Sequence, residues 1–329
     1  MQTSSGRGTM FSQRLGRSMH TSNVDFVTNA PVQGDLDVRW NHGRRGRHDG
    51  HEPPFHVHRY DAHTYILRQS KDLTAEAPFL FLLFGNSKAL LLDTGASKRT
   101  EGNPLRETVD GIVEGWLAEH PRDGFELVVA HTHGHGDHVA GDGQFTDRAS
   151  TTIVERELPA VQTFFGFTNW PDEIVRFDLG GRILDITGTP GHQRASLTIH
   201  DPWTGFLLTG DNVLPGRIYA FDFPAYLESM ERTVAFASAR DVTHVMGCHI
   251  EMTRRPGHDY PLGCSYQPDE PPLQMTVSQL IAVRDAARSV KDKPGAHRFD
   301  DFLIMNGPYR RYLPRLIARA LWAKLRPMR

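Results

Sequence analysis

The run His131-Thr-His133-Gly-His135-Gly-Asp137-His138 constrains this chain more than any other feature. Its H-x-H-x-D-H spacing gathers three imidazoles and a carboxylate into one short turn, which is the composition of a metal site. Neutral imidazole and carboxylate are borderline and hard donors that suit zinc, iron or manganese, and no thiolate sits among them. The run follows Phe125-Glu-Leu-Val-Val-Ala130, a short apolar segment that reads as a buried strand. The histidines therefore fall on the loop at the strand's carboxyl end, where rigid scaffolds place chemistry. Histidine is common in this chain, 18 in 329 residues, so clustering alone decides little. Between His42 and His63 the histidines are scattered among Arg, Gly and Pro at no fixed spacing, and a solvated, non-ligand role is expected there.

The motif at 133–138 resembles the signature of the metallo-β-lactamase superfamily, and further segments resemble that family in order along the chain. Leu90-Leu91-Leu92-Asp93-Thr94-Gly95 resembles its early D-T-G strand end, which makes Asp93 the residue expected beneath the metals. Gly188-Thr189-Pro190-Gly191-His192 is similar to its P-G-H turn, and Thr209-Gly210-Asp211, after Phe206-Leu207-Leu208, to its T-G-D. The stretch Val242 to Cys248 leads into His249, where the family has its last histidine. His249 is taken over His244 because that ligand sits past the strand end.

The resemblance implies a four-layer αββα sandwich of the α/β class and two divalent metal ions, zinc first, with iron or manganese as alternatives. It assigns His133, His135 and His192 to one metal, and Asp137, His138 and His249 to the other, with Asp211 and a water or hydroxide bridging them. Asp137 and Asp211 would orient the attacking hydroxide on a small activated acyl substrate, a thioester, ester or lactone. A phenol from Tyr219 or Tyr226 would assist the substrate oxygen. His131, two residues before His133, falls on the same side of the strand by period-two alternation, and a role behind a ligand is open to it.

Within the superfamily, Asp211 argues against the antibiotic-degrading class with Cys at that position, and His135 against flavodiiron oxidoreductases. What remains is similar to the glyoxalase II, lactonase and thioesterase group. One alternative is a mononuclear-iron persulfide dioxygenase using His133, His192 and Asp211, and a second is a phosphodiester hydrolase.

The resemblance implies a small-molecule substrate, and composition bears on the other partners. A formal net charge of -2 argues against a chain selected as a whole for polyanions, so nucleic acid is not expected. Two cysteines, Cys248 and Cys264, make no disulfide framework. The most apolar stretch, Phe79 to Phe84, is far shorter than a membrane span. A cytoplasmic location is expected; the acid-free Met1 to Asn23 leaves a mitochondrial presequence as the alternative. Oligomeric state is not legible.

Residues 1–53, Gly-, Arg- and His-rich, read as an unpacked tail with too little apolar material to fold alone. Residues 54–308 read as the catalytic domain and 309–329 as a basic amphipathic helix, carrying seven Lys or Arg and no acid from Tyr309 onward. Such a helix can bind an anionic membrane surface or a partner, with packing on its own domain preferred. Strands are expected at His63 to Gln69, Pro78 to Phe84 and Lys88 to Leu92, with a hairpin turn at Gly85-Asn86. Helices are expected at Pro104 to His120, Leu158 to Phe167, Ala225 to Ser238 and Leu273 to Val290.

Overall fold

Phe79-Leu-Phe-Leu-Leu-Phe84 is apolar at every position, which a strand requires only when both of its faces are covered. In the computed structural model, which describes residues 22–45, 50–307, 310 and 312–325, that is its situation. It is the third strand of a six-stranded sheet, β1 (Phe55–Asp61), β2 (Thr64–Gln69), β3 (Phe79–Phe84), β4 (Lys88–Leu92), β5 (Glu126–Ala130) and β6 (Thr151–Ile153), in sequential order. The first four pair antiparallel, while β5 and β6 join in parallel. Phe79, Phe81 and Leu83 face the interior between two sheets, and Leu80, Leu82 and Phe84 face helix α1 (Leu105–Glu119) through Leu105, Val109, Val113 and Trp116. The period of two thus divides one run between two cores.

Short helices α2 (Gly136–Val139) and α3 (Leu158–Phe165) lead to the second half of the chain, which holds β7 (Ile174–Asp178), β8 (Ile183–Gly188), β9 (Leu197–Asp201), β10 (Phe206–Gly210), β11 (Arg217–Ala220), α4 (Phe223–Ser238), β12 (His244–Gly247), β13 (Gln274–Met275) and α5 (Val277–Val290). The second sheet has the order β13-β12-β10-β9-β8-β7. Its inner residues Leu184, Ile186, Leu197, Ile199, Phe206 and Leu208 meet the first sheet. Leu207 and Val245 turn outward onto α4 and α5. Helix, sheet, sheet, helix is the expected four-layer αββα order. The chain ends with β14 (Gly295–Arg298), β15 (Leu303–Asn306) and α6 (Leu313–Leu325), with β11, β15 and β14 forming a small third sheet.

Three differences from expectation have physical causes. Residues 22–45 lie against the domain, contrary to an unpacked segment up to residue 53. Phe26 and Trp40 are buried, Val32 N–H donates to the Trp203 carbonyl (2.8 Å), and Tyr60 donates to the Val32 carbonyl (3.1 Å). A few aromatic anchors on an existing sheet suffice where a core of its own is lacking; residues 1–21 and 46–49 lie outside the described residues. The His42 to His63 stretch is likewise not simply solvated, because His63 is buried and accepts a hydrogen bond from Trp116 Nε1 (3.0 Å). Finally α5 begins at Val277, not Leu273, because Thr276 and Gln279 form a reciprocal capping box while Gln274 and Met275 pair with β12.

Candidate metal centre

Strands β4, β5, β8, β10 and β12 all end on one edge of the sandwich, and each is followed within four residues by one of the residues selected from the sequence. The loop geometry is demanding. Asp93, directly after β4, has φ 70°, a left-handed conformation that Asp tolerates better than most residues. Gly191 has φ +136°, and a Cβ there would lie 2.4 Å from the Tyr226 Cα. Only glycine lets this turn run against α4 and still deliver His192.

Two groups of donors result. His133 Nε2, His135 Nδ1 and His192 Nε2 form a triangle with sides of 3.1, 2.9 and 3.2 Å. Beside it, His249 Nε2 lies 3.5 Å from both Asp137 Oδ2 and Asp211 Oδ1, and His138 Nε2 lies 3.6 and 3.7 Å from the same two oxygens. Asp211 faces both groups, since its other oxygen, Oδ2, is 3.6 Å from His192 Nε2. All seven residues read from the sequence therefore converge, in two groups.

The opposite ring nitrogens fix which atoms face inward. His192 Nδ1 donates to the Tyr219 carbonyl (2.8 Å), His249 Nδ1 to the Glu76 carbonyl (3.1 Å), and His138 Nδ1 to Asp93 Oδ2 (2.8 Å). With Nδ1 bonded outward, each Nε2 faces the centre and is the atom that can turn a lone pair to a metal when the ring is neutral. Asp93 is itself held by the Thr132 N–H (2.7 Å) and hydroxyl (2.9 Å) and by Cys248 Sγ (3.4 Å). It stands behind His138.

Burial drives the His133 imidazole well below its usual range and His192 down to about 4, so both are neutral near pH 7. Burial also opposes a cation on His249, but Asp211 and Asp137 outweigh it and raise that ring to about 9. Burial opposes ionisation of Asp211 too, yet His249 and His138 keep its carboxyl well below the carboxylate range. The residues fit metal ions: the donors within each group lie within 4.8 Å of one another, and buried Asp211 Oδ1 has no hydrogen-bond partner. Converging lone pairs and an orphaned carboxylate oxygen are costly unless a cation meets them.

Two expectations require correction. Tyr226 is fully buried and donates to the Asn212 carbonyl (2.9 Å), so it cannot reach a substrate; Tyr219 does line the cavity over the centre. His131 touches no ligand ring. Its Nε2 meets Asp142 Oδ1 (2.9 Å), which also accepts from Thr94, so its connection to the site runs through the loop backbone. His244 lies away from both groups and contacts Thr243. Sequence reasoning missed Thr132, although it stands inside the motif, and also the carbonyls of Glu76 and Tyr219, which no side-chain pattern announces. The cavity, about 620 Å³, opens over Asp137, His192, Asp211 and His249 and has an apolar wall of Leu214, Phe221, Leu262 and Leu313.

The model of the metallo-beta-lactamase superfamily matches residues 74–249, just over half of the chain, and the chain belongs to that superfamily. It is 26% identical over 168 residues to a hydroxyacylglutathione hydrolase of Rhizobium meliloti (strain 1021), covering 47% of this chain and 60% of that protein. It is also 26% identical over 168 residues to the human acyl-coenzyme A thioesterase MBLAC2, covering 42% and 59%. The match thus spans about three fifths of the length of these relatives. Among solved structures, a metallo-beta-lactamase from Pontibacter korlensis aligns with a TM-score of 0.44 at 19% identity, over 59% of this chain and 91% of that one.

Proposed function

We propose that this protein is a two-metal hydrolase of small activated acyl compounds, thioesters, esters or lactones. The observation that carries the reading is Asp211, which turns Oδ2 to the three-histidine group and Oδ1 to the group of Asp137, His138 and His249. A carboxylate so placed would serve two metal positions, with His133, His135 and His192 holding one ion and Asp137, His138 and His249 the other. Metal ions so held supply Lewis acidity and lower the pKa of an attacking water.

The chain's own residues do the rest. Asp211 and Asp137 put negative charge at the cavity floor, where they would accept hydrogen bonds from a water and orient it. Burial of the imidazoles excludes competing solvent, and their Nδ1 bonds hold each ring in one tautomer. Tyr219 stands on the cavity wall, in reach of the substrate's oxygen or leaving group. No side-chain nucleophile is required. The apolar wall suits an acyl chain, and the names of both relatives, a hydroxyacylglutathione hydrolase and an acyl-coenzyme A thioesterase, support a thioester as the first substrate to test.

Elemental analysis combined with turnover of generic thioester, lactone, β-lactam and phosphodiester substrates tests this. Two equivalents of metal, zinc expected, and thioester or lactone hydrolysis are the expected outcome. A single bound iron and consumption of oxygen would overturn it in favour of a mononuclear dioxygenase, and preferred phosphodiester turnover would overturn the substrate class.

A further inference from the structure

Helix α6 (Leu313–Leu325) has two different faces. Its inner face carries Leu316, which joins Met252, Leu303, Met305 and Tyr312 in a separate small core. Arg319 adds an ion pair with Asp259, Nη1 to Oδ1 at 2.5 Å. The expectation that the helix packs on its own domain is met by this face alone. The outer face exposes Ile317 (45%), Leu321 (57%) and Trp322 (59%). These are three of the six large hydrophobic residues exposed among the described residues, and they fall within six positions of one helix, whereas Val27, Val57 and Ile174 are scattered. Exposed apolar residues grouped in this way mark an interaction surface.

Charge indicates what covers it. From Phe302 to Arg329 the chain has no Asp or Glu and seven Lys or Arg, of which Arg310, just before the helix, and Arg315, in its first turn, are exposed. A second copy of the same helix would bring cations against cations, with no acid of the helix itself to offset them. An anionic phospholipid surface complements both features, taking the apolar side chains into the acyl boundary and the cations among the headgroups. We propose that α6 docks this protein onto anionic membrane surfaces, lying in the interface plane. No helix among the described residues is long and apolar enough to cross a membrane. Leu313, the first residue of the same helix, lines the cavity over the metal centre. The inference stands apart from the acyl-substrate reading, since it concerns binding of lipid alone.

The test is co-sedimentation of the full-length protein with vesicles of phosphatidylcholine alone or mixed with phosphatidylglycerol, at low and high salt. The wild type should bind the mixed vesicles and be released by salt. Ile317→Asp with Leu321→Asp should reduce binding by about tenfold or more, and Arg310→Gln with Arg315→Gln by about tenfold, with less dependence on salt. Unchanged melting of both variants shows that they fold, and none of the four substituted residues lines the cavity, so their hydrolytic rates serve as a second control. Wild type that stays in the supernatant with mixed vesicles at low salt would overturn the proposal. So would equal binding by Ile317→Asp/Leu321→Asp, or a wild-type dimer that this variant converts to monomer without any vesicle binding, which would assign the face to a second copy.

Discussion

Strand β8 (Ile183–Gly188) connects two buried polar clusters of opposite character. At its start, Arg182 is fully enclosed and every contact is answered. Nε and Nη2 bind Asp201 (3.0 and 2.5 Å), Nη1 donates to the carbonyls of His63 (2.8 Å) and Phe84 (3.1 Å), and Nη2 also reaches Thr64 Oγ1 (2.9 Å). Past its other end, His192 joins a cluster in which ring nitrogens converge and Asp211 Oδ1 has no hydrogen-bond partner. Both clusters are buried and charged, so burial does not separate a structural ion pair from a functional site. Completeness does: the first group closes on itself, and the second is complementary to something else. Breaking the closed cluster should cost stability, and breaking the open one should cost chemistry.

The sharpest contrast is Asp211→Ala. It removes the one carboxylate shared by both donor groups and should lower turnover of a responsive substrate by about a thousandfold or more, with the metal-free protein melting no lower than wild type. A large fall in melting temperature without metal would show that Asp211 is structural and break the comparison. At the other end, Asp201→Ala leaves the Arg182 guanidinium buried and unpaired, for a loss of ~3–5 kcal/mol measured by urea denaturation. Specific activity of the protein that remains folded should stay near wild type.

Acid should expose the closed end through His63. Burial lowers this imidazole to about 4 from an ordinary 6.5, so folding favours its neutral form. The corresponding stability is complete above pH 6.5 and is lost as pH falls toward 4, on the order of 2–3 kcal/mol. Subtracting the melting curves of His63→Gln from those of wild type across that range isolates it from the metal-site histidines, and a flat difference would remove His63 from the closed cluster. The smallest effect is expected for His244→Ala, which touches neither cluster. Metal content should be unchanged and stability should stay within about 0.5 kcal/mol of wild type.

Much of this molecule is written locally. The strands at Pro78 to Phe84 and Lys88 to Leu92 and the helix at Pro104 to His120 agree with β3, β4 and α1 to within a residue at each end. Their signals are a short apolar run, a Gly-Asn turn and a helical stripe opened by proline, and all of these depend on near neighbours. The seven donors were legible because the H-x-H-x-D-H run is contiguous and because the P-G-H, T-G-D and final His segments each follow an apolar strand. Side-chain chemistry and strand ends can be read in one dimension.

What the chain does with backbone and distant atoms could only be decided in three dimensions. The carbonyls of Tyr219 and Glu76 that set the tautomers of His192 and His249 are 27 and 173 residues from those rings in sequence, and every residue has a carbonyl. Trp40 looks isolated in a polar stretch, yet it is buried against Phe79, because β3 supplies a surface that the segment lacks. Tyr226 and Tyr219 were equal candidates by position after Asp211; the docking of α4 seals the first and leaves the second on the cavity wall. The sequence by itself determined which groups this protein can bring to a metal, since ligand chemistry is a property of residue type and order. The tertiary structure decided which of their atoms face inward, because that depends on hydrogen bonds between segments that meet only when the two sheets close.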